Sequence, residues 1–177
     1  MLIYLAMLDD EKDKSKFEQL YLKYRQLMFY IANDILKDKH LAEDAVHKAF
    51  LKLINHLDKI QETEGHKTKS FIVIVTKNIA IDMYRKRKKE NIISLDAFEY
   101  ELEDLAATYD DLYEDNEVIA AITSLSHNYS SVLILKFSHG YSDAEIARIL
   151  SITEENVRQR IARAKKKLKQ ILLERGL

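Results

Sequence analysis

The chain has 177 residues, with no Pro, no Cys and only three Gly. Without cysteine it has no disulfides, no thiolate metal ligands and no cysteine nucleophile. Helix breakers are nearly absent, and Leu, Ile, Ala, Lys and Glu are abundant, so the composition predicts an all-α fold.

Charge divides the chain into three blocks behind a net charge of −1. Residues 1–89 carry 18 basic and 13 acidic side chains, residues 90–135 carry 0 and 11, and residues 136–177 carry 10 and 5. Two basic blocks around an acidic one suggest two modules that meet a polyanion, joined by a connector that avoids it or mimics it. A solvated acidic linker fits the middle block equally well.

The apolar run at residues 1–8 lacks the basic residues of a signal peptide and is followed by Asp9, Asp10 and Glu11. It is too short to cross a bilayer, and no uncharged apolar run elsewhere approaches the roughly 20 residues of a membrane helix. We therefore expect a soluble, cytoplasmic protein that makes no membrane contact of its own.

Three helices are predicted in the first block. Apolar residues recur at helical spacing from Phe17 to Leu36, and again from about Leu41 to Ile60. A polar loop around Gly65 follows. The third segment, about Lys69 to Lys89, opens with five apolar residues that alone would suit a strand. Its remainder has no strand alternation, so we predict one buried helix.

An acidic, weakly periodic segment comes next and indicates a connector. After it, the predicted helices cover residues 112–125, 127–138, 142–150 and 153–174. Gly140 is well placed to end the second of these in a left-handed conformation. The pattern predicts two small helical domains and a linker, over residues 1–91, 112–177 and 92–111 respectively.

A helix-turn-helix signature lies near the C-terminus. Ser142-Asp-Ala-Glu145 matches a capping box, in which the Ser hydroxyl and the Glu carboxylate satisfy backbone donors at a helix start. Ser151-Ile-Thr153 then makes a tight turn, with Thr153 as the next N-cap. Such a motif places the start of its second helix in the major groove, where Arg, Gln and Asn bond base edges.

The second helix of this motif has one apolar stripe and one polar face. The residues predicted to be buried are Val157, Ile161, Ala164, Leu168 and Ile171. The candidate DNA-contacting residues are Glu155, Asn156, Arg158, Gln159, Arg160, Arg163 and Lys167. A basic amphipathic helix alone is usually a solvated face, but the ordered combination of capping box, turn and basic helix favours DNA binding.

Residues 126–169 resemble region 4 of sigma factors of the extracytoplasmic function (ECF) group, in the sigma-70 family. The resemblance rests on Tyr141-Ser-Asp-Ala-Glu-Ile-Ala-Arg-Ile-Leu150 and Asn156-Val-Arg-Gln-Arg-Ile-Ala-Arg-Ala-Lys-Lys-Lys-Leu168. It implies binding to the minus-35 promoter element. His127 stands where the family often has Pro, and Ser151 where the turn often has Gly. We expect both to be tolerated, because a helix start does not require Pro and such turns do not strictly require a positive φ.

The first block resembles region 2 of the same family. Leu41-Ala-Glu-Asp-Ala-Val-His-Lys-Ala-Phe50 is similar to the region 2.2 helix, which docks on the clamp helices of the largest polymerase subunit. Leu41 replaces a frequent Asp, which weakens the expected helix cap. The resemblance assigns polymerase binding to Glu43, Asp44, His47, Lys48, Phe50 and Lys52. Taken alone, this polar face is typical of a solvated helix.

Residues 71–89 resemble regions 2.3 and 2.4, which open and read the minus-10 element. Residues 85–89 are five consecutive basic residues, which can bind DNA phosphates. Asn78 can form a hydrogen bond with the edge of a nucleobase, and Tyr84 can stack on a nucleobase. The resemblance implies that the preceding loop, Gln61–Ser70, helps to capture an extruded base. The residues assigned to minus-10 binding are Thr68, Lys77, Asn78, Tyr84, Arg85, Lys86, Arg87 and Lys88. Without the resemblance, residues 85–89 fit any phosphate-binding or solvated helix end equally well.

The resemblance covers roughly residues 14–89 and 112–172, and it implies an RNA polymerase sigma factor that directs promoter-specific initiation. The implied partners are promoter DNA and core polymerase, through its clamp helices and its flap. The acidic connector is implied to thread toward the RNA exit path, and an anti-sigma factor is a further expected partner. No catalytic residue, metal or cofactor is expected.

Two other functions fit parts of the sequence. His40, Glu43, Asp44 and His47 lie at helical spacings that can gather a metal on one helix face, as in a metal-dependent enzyme. A conventional repressor or activator would use the same helix-turn-helix, with the N-terminal helices serving dimerisation or ligand sensing. The stretch from Asn78 to Lys89 favours a promoter-melting factor, because a regulator does not need it.

Overall fold

The structure is a computed structural model that describes residues 1–90 and 117–176, and within these ranges every regular element is helical. Contacts divide the chain into two compact units, Met1–Ile92 and Ile93–Leu177. The all-α prediction is confirmed. The predicted linker and residues 112–116 of the next predicted helix lie outside the described residues. None of the described helices is both long and apolar enough to span a membrane.

Three long helices build the N-terminal unit. In chain order its elements are α1 (Leu2–Leu5), α2 (Glu11–Leu36), α3 (Lys39–Ile54), a 3-10 turn (Leu57–Lys59) and α4 (His66–Glu90). The three predicted helices are therefore present, but α3 ends at Ile54 rather than near Ile60, and α4 begins at His66 rather than near Lys69. α2 begins at Glu11 rather than Phe17, because the carboxylate of Asp10 caps it by accepting the backbone N–H of Lys12 at 2.8 Å.

The start of α3 corrects the expectation of a weak cap. The N-cap is Asp38, just upstream of the predicted start at Leu41. Its carboxylate accepts hydrogen bonds from the backbone N–H groups of His40 at 3.0 Å and of Leu41 at 3.2 Å. An acidic cap also complements the positive end of the helix dipole. The substitution of Leu for Asp at position 41 therefore leaves the helix well capped.

α2, α3 and α4 pack on one another around a core of aliphatic and aromatic side chains. Phe17, Met28 and Phe50 have no exposed surface. Every residue from Phe71 to Ile81 is buried, as the unbroken apolar start of α4 predicted. Burying one such large apolar side chain contributes roughly 1.5 to 3 kcal/mol. This core holds the polar face of α3 and the basic end of α4 in fixed positions.

α1 is attached to this core through Tyr4, whose side chain is buried. Its ring centroid lies 5.3 Å from that of Phe17 and 5.7 Å from that of Phe50. Its hydroxyl lies within hydrogen-bond distance, 2.6 Å, of Nδ1 of His47. Tyr4 of the N-terminal apolar run thus packs on α2 and α3, while most of the other large apolar side chains of the run are exposed.

The C-terminal unit consists of short helices followed by a long one. Its described elements are α5 (Glu117–Thr123), α6 (His127–Leu133), a π-helical turn (Ile134–Ser138), α7 (Asp143–Leu150) and α8 (Glu154–Glu174). The predicted helix 127–138 therefore widens at its end, where the His139 N–H bonds the Ile134 carbonyl at 3.1 Å. Gly140, at φ +74°, has the predicted left-handed conformation.

α7 and α8 form the predicted helix-turn-helix. The Glu145 N–H donates to Ser142 Oγ at 3.3 Å, and the Ser142 N–H donates to Glu145 Oε2 at 2.8 Å. The hydroxyl of Thr153 caps α8 by accepting the Asn156 N–H at 3.1 Å. Both predicted caps are confirmed.

Ser151 corrects one expectation about this turn. It has φ +55° and ψ +42°, which is left-handed backbone. The turn does require a positive φ, contrary to the expectation that it would not. Ser151 meets that requirement at a steric cost of roughly 1 to 2 kcal/mol, because its Cβ approaches the carbonyl oxygen.

α8 packs on the other helices of the unit through its predicted apolar stripe. Val157 and Ala164 are fully buried, and Leu125 and Leu133 join Ala164 in the core. Packed against this cluster are Ile161, Leu168 and Ile171. The opposite face of α8 consequently points to solvent.

Candidate nucleic-acid interface

The first turns of α8 present polar side chains on the face away from the core. Of the residues predicted there to contact DNA, the exposed ones are Glu155, Arg158, Gln159, Arg163 and Lys167. Asn156 and Arg160 are half-buried. A rigid helix with one face buried and its N-terminal half displayed is the arrangement that enters a major groove.

The Glu155 carboxylate organises the start of this face. It accepts hydrogen bonds from Arg158 Nη2 at 3.2 Å and from Gln159 Nε2 at 3.1 Å. The bond from Gln159, and then the bond and charge of Arg158, lower the pKa of Glu155. Glu154 adds a second carboxylate 3.7 Å from Arg158. In the free protein, these polar groups hold one another in place.

The flanks of α8 are braced by side chains of α6. Arg160 Nη1 donates to Asn128 Oδ1 at 3.4 Å. Lys167 lies with its Nζ 5.0 Å from the centre of the Tyr129 ring. Arg163 makes no hydrogen bond or ion pair with another residue of the described ranges, so its guanidinium is available to an external acceptor.

The basic end of α4 forms a second polar surface, in the N-terminal unit. Lys86 and Arg87 are exposed there, while Tyr84, Arg85 and Lys88 are half-buried. Lys88 Nζ lies 5.0 Å from the centre of the Tyr84 ring. Arg87 Nη1 lies 3.7 Å from Oδ2 of Asp38, the N-cap of α3. A carboxylate therefore already offsets one of the charges predicted to meet phosphate.

Three residues predicted to bind the minus-10 element lie inside the unit. Thr68, Lys77 and Asn78 are only 6%, 2% and 7% exposed. The Thr68 hydroxyl donates to the Glu62 carbonyl at 2.6 Å, and Asn78 Nδ2 donates to Asp82 Oδ2 at 3.2 Å. In the free protein these groups serve contacts within the unit, and their role in minus-10 binding stays a prediction.

Lys77 is a cation held in the interior of the helix bundle. Burial lowers the pKa of its ammonium group to about 8, and the nearby Asp34 opposes this fall. Burial also lowers the pKa of Lys52, with Asp82 acting in the opposite direction. Lys77 consequently gives up its proton more readily than an exposed lysine does.

The loop between the 3-10 turn and α4, residues 61–65, is tied to α2. Thr63 Oγ1 donates to Gln19 Oε1 at 2.8 Å, and the Tyr24 hydroxyl donates to the Thr63 carbonyl at 3.1 Å. Lys23 Nζ and Glu64 Oε1 lie 2.7 Å apart. No local sequence pattern predicts these contacts, since the hydrogen-bonded partners are 44 and 39 positions apart.

The face of α3 predicted to bind polymerase is largely open. Glu43, Asp44, His47 and Lys48 are exposed and Lys52 is half-buried. Phe50 is different, because it has no exposed surface and its ring centroid lies 5.6 Å from that of Phe17 and 4.9 Å from that of Tyr21. In the free protein the Phe50 side chain is therefore not part of this open face. It supports α3 from the core.

The metal-site interpretation of α3 finds no support in the geometry. Nowhere in residues 1–90 or 117–176 do three His, Asp or Glu side chains converge on a metal position. His47, one of the four candidate ligands, already has its Nδ1 within 2.6 Å of the Tyr4 hydroxyl.

Two family models match the chain in sequential order. One describes Sigma-70 region 2 and matches residues 20–90. The other describes Sigma-70 region 4 and matches residues 115–168. The first match contains α3 and α4, and the second contains the helix-turn-helix, so both polar surfaces fall within a matched region.

Relatives match along most of the chain. The ECF RNA polymerase sigma factor SigM of Bacillus subtilis is 29% identical over 155 residues, which is 87% of this chain and 93% of SigM. SigX of the same organism is 25% identical over 80% of this chain and 76% of its own length. The ECF sigma factor SigL of Mycobacterium tuberculosis is 26% identical over 89% of each chain. With both regions matched in order, the chain belongs to the ECF group of the sigma-70 family and is an RNA polymerase sigma factor.

Proposed function

We propose that this sigma factor reads a two-element promoter with a separate surface in each unit. The observation that carries the proposal is the doubly capped helix-turn-helix, in which α8 buries one stripe and displays polar groups on the opposite face. That face contacts the minus-35 element through Glu155, Asn156, Arg158, Gln159, Arg160, Arg163 and Lys167. Arg, Gln and Asn side chains form hydrogen bonds with the edges of nucleobases, and the remaining basic side chains contact phosphates.

In the N-terminal unit, α4 and the loop 61–65 engage the minus-10 element. Lys86 and Arg87, with Arg85 and Lys88, neutralise phosphates, and Tyr84 offers a ring for stacking. Asn78 offers its amide to an extruded base by exchanging its bond with Asp82. Lys77 and Thr68, which are buried, support this DNA-binding surface from inside the unit.

Core polymerase binds the exposed face of α3 through its clamp helices and meets the C-terminal unit through its flap. Supporting this assignment are the exposed positions of Glu43, Asp44, His47 and Lys48. Because its partner is polymerase on the chromosome, the protein acts in the cytoplasm. As an initiation factor it supplies no catalytic group and needs no cofactor. An anti-sigma factor would inhibit it by covering either polar surface.

Run-off transcription on genomic fragments tests the proposal. Purified core polymerase with the chain should start at sites that share two sequence elements, whereas core alone should not select them. The chain alone should bind duplex DNA weakly. An unchanged set of start sites after addition of the chain would overturn the proposal.

A conventional repressor or activator is the second candidate, since the helix-turn-helix suits it equally well. It predicts tight binding to duplex DNA without core polymerase. The region 2 match over residues 20–90 favours the sigma role, because a regulator has no use for that region. Gel-shift titrations with and without core polymerase separate the two functions.

The two surfaces are distinguished by one substitution in each. Arg163→Ala should cost about 1 to 3 kcal/mol of promoter affinity if Arg163 reads a base, and should relax one upstream preference. Asn78→Ala should impair opening while leaving upstream recognition intact. Lys169→Ala, which removes another exposed basic side chain of α8, is the control for loss of charge alone.

A further inference from the structure

We propose that Gln19 and Tyr24 of α2 and Thr68 of α4 are positioning residues that hold the loop 61–65 in the shape required to open the minus-10 element. The inference rests on the proposed function, in which this loop helps to capture an extruded base. None of the three residues needs to touch DNA to act in this way.

Two hydrogen bonds from α2 meet at one loop residue. The Thr63 side chain donates to Gln19 Oε1 at 2.8 Å, while the Thr63 carbonyl accepts from the Tyr24 hydroxyl at 3.1 Å. A residue bound through both its side chain and its carbonyl cannot rotate about its backbone dihedrals without breaking one bond. Thr63 therefore has a fixed orientation relative to α2.

Thr68 fixes the loop from its other side. Its hydroxyl donates to the Glu62 carbonyl at 2.6 Å, and its side chain is buried in the first turn of α4. Two consecutive loop carbonyls, those of Glu62 and Thr63, are thus held by hydroxyl groups from two different helices. This gives Thr68 a role within the loop rather than at a DNA-facing surface.

Tyr24 links the loop to the core of the helix bundle. It is only 4% exposed, and burial raises the pKa of its hydroxyl. The hydroxyl therefore remains a donor throughout the physiological range. Since the Tyr24 ring is packed in the core, its hydroxyl defines where the Thr63 carbonyl lies.

A loop held in this way suits the capture of an unstacked base. Ordering a flexible loop at the moment of binding costs conformational entropy, and a loop ordered in advance avoids that cost. A shallow, open groove of about 590 Å³ lies beside the loop, lined in part by Gln19 and Thr63. The loop therefore borders open space on its α2 side.

Three variants of the full chain in holoenzyme test the inference, and they are Tyr24→Phe, Gln19→Ala and Thr68→Val. Each removes one hydrogen bond and should shorten the half-life of the open complex about three- to tenfold. Permanganate reactivity of minus-10 thymines should fall accordingly. We also compare promoter opening on two templates that differ only at the captured base. The preference for one template over the other should fall in the variants, whereas a loss of protein stability alone would not change this preference. Affinity for core polymerase should not change.

Matched controls are available on the same helices. Tyr30→Phe removes a hydroxyl from a tyrosine of α2 that is 70% exposed. Thr76→Val removes a buried hydroxyl of α4 that bonds only within its helix in the described contacts, to the Ile72 carbonyl at 2.8 Å. Both controls should open promoters as the wild type does. Cleavage of the loop by a glutamate-specific protease should accelerate in the three variants and not in the controls.

The outcomes separate this inference from the proposed function. If the wild-type holoenzyme opens promoters and Tyr24→Phe and Gln19→Ala open them equally well, the inference is overturned. If Tyr24→Phe unfolds, Gln19→Ala decides, because Gln19 is exposed and its loss leaves the core intact. A wild-type holoenzyme that initiates nowhere overturns the proposed function, and this inference with it.

Discussion

At the scale of single residues, the turn of the helix-turn-helix contains local strain at Ser151, which has φ +55°. Ser151→Gly should raise the free energy of unfolding by about 0.5 to 1 kcal/mol, since glycine relieves the Cβ clash but loses more backbone entropy on folding. Ser151→Ala keeps the Cβ and should bring no gain. Thermal unfolding followed by circular dichroism measures both. A lower transition for the glycine variant would contradict the strain.

The buried ammonium group of Lys77 makes stability depend on pH. Its pKa falls from 10.5 to about 8 in the folded protein. Below about pH 8 both states are protonated, and the cost of burying the charge is fully present. Between the two pKa values the unfolded chain binds more protons than the folded one, so this group makes the free energy of unfolding rise with pH.

Lys77→Met should remove this cost. At neutral pH the variant should be more stable than the wild type by about 1 to 3 kcal/mol, and the difference should shrink as the pH approaches about 10. Urea unfolding at pH values from about 7 to about 9.5 measures the trend. Lys86→Met, at an exposed position of the same helix, should show no such trend. A gain that is equal at every pH would count against the burial argument.

At the scale of elements, the start of α3 connects two helices through Asp38. The carboxylate caps α3 and also lies 3.7 Å from Arg87 of α4. Asp38→Ala should lower the free energy of unfolding by about 1 kcal/mol through loss of the cap. Asp38→Asn keeps a capping oxygen and should lose less, because an exposed ion pair contributes only about 0 to 1 kcal/mol. Urea unfolding compares the two. Equal losses would mean that the ion pair, and not the cap, dominates.

The helices themselves were predictable, because their signals are local. The apolar period marks the buried faces of α2, α3 and α8, and the capping box of α7 joins residues only three positions apart. The ends of helices were less predictable. Asp10 and Asp38 extend α2 and α3 beyond their apolar stripes, since a cap is chosen by one side chain and not by periodicity.

The candidate site was predicted less completely than the helices. α4 is buried around its whole circumference from Phe71 to Ile81, so its sequence has no periodicity that separates a polar face from a core face. For that reason the sequence could not show that Lys77 and Asn78, which the resemblance assigns to minus-10 binding, are buried in the free protein. The tie between Tyr24 and Thr63 joins residues 39 positions apart, and only the packing of α2 against the loop brings them together.

At the scale of the whole molecule, charge is distributed unevenly among the segments. The sequence between the two basic blocks, residues 90–135, has 11 acidic residues and no basic one. Its charge therefore has no local partner along the chain, unlike the acidic residues of the first block, which lie among 18 basic ones. A tethered polyanion competes with DNA for the same basic surfaces, and we expect it to weaken duplex binding by the free protein.

Changing Asp110, Asp111 and Glu114 to their amides removes three carboxylates and takes the formal net charge from −1 to +2. The free variant should bind duplex promoter DNA about three- to tenfold more tightly at low salt, and this gain should fade as the Debye length falls from about 10 Å at 0.1 M to about 3 Å at 1 M. Fluorescence anisotropy across a salt series measures it. The control variant changes Asp9, Glu18 and Asp58 to amides, with the same net charge, and should gain less because these carboxylates belong to a block that carries 18 basic residues. Equal gains would mean that net charge alone governs binding and that the acidic block has no special role.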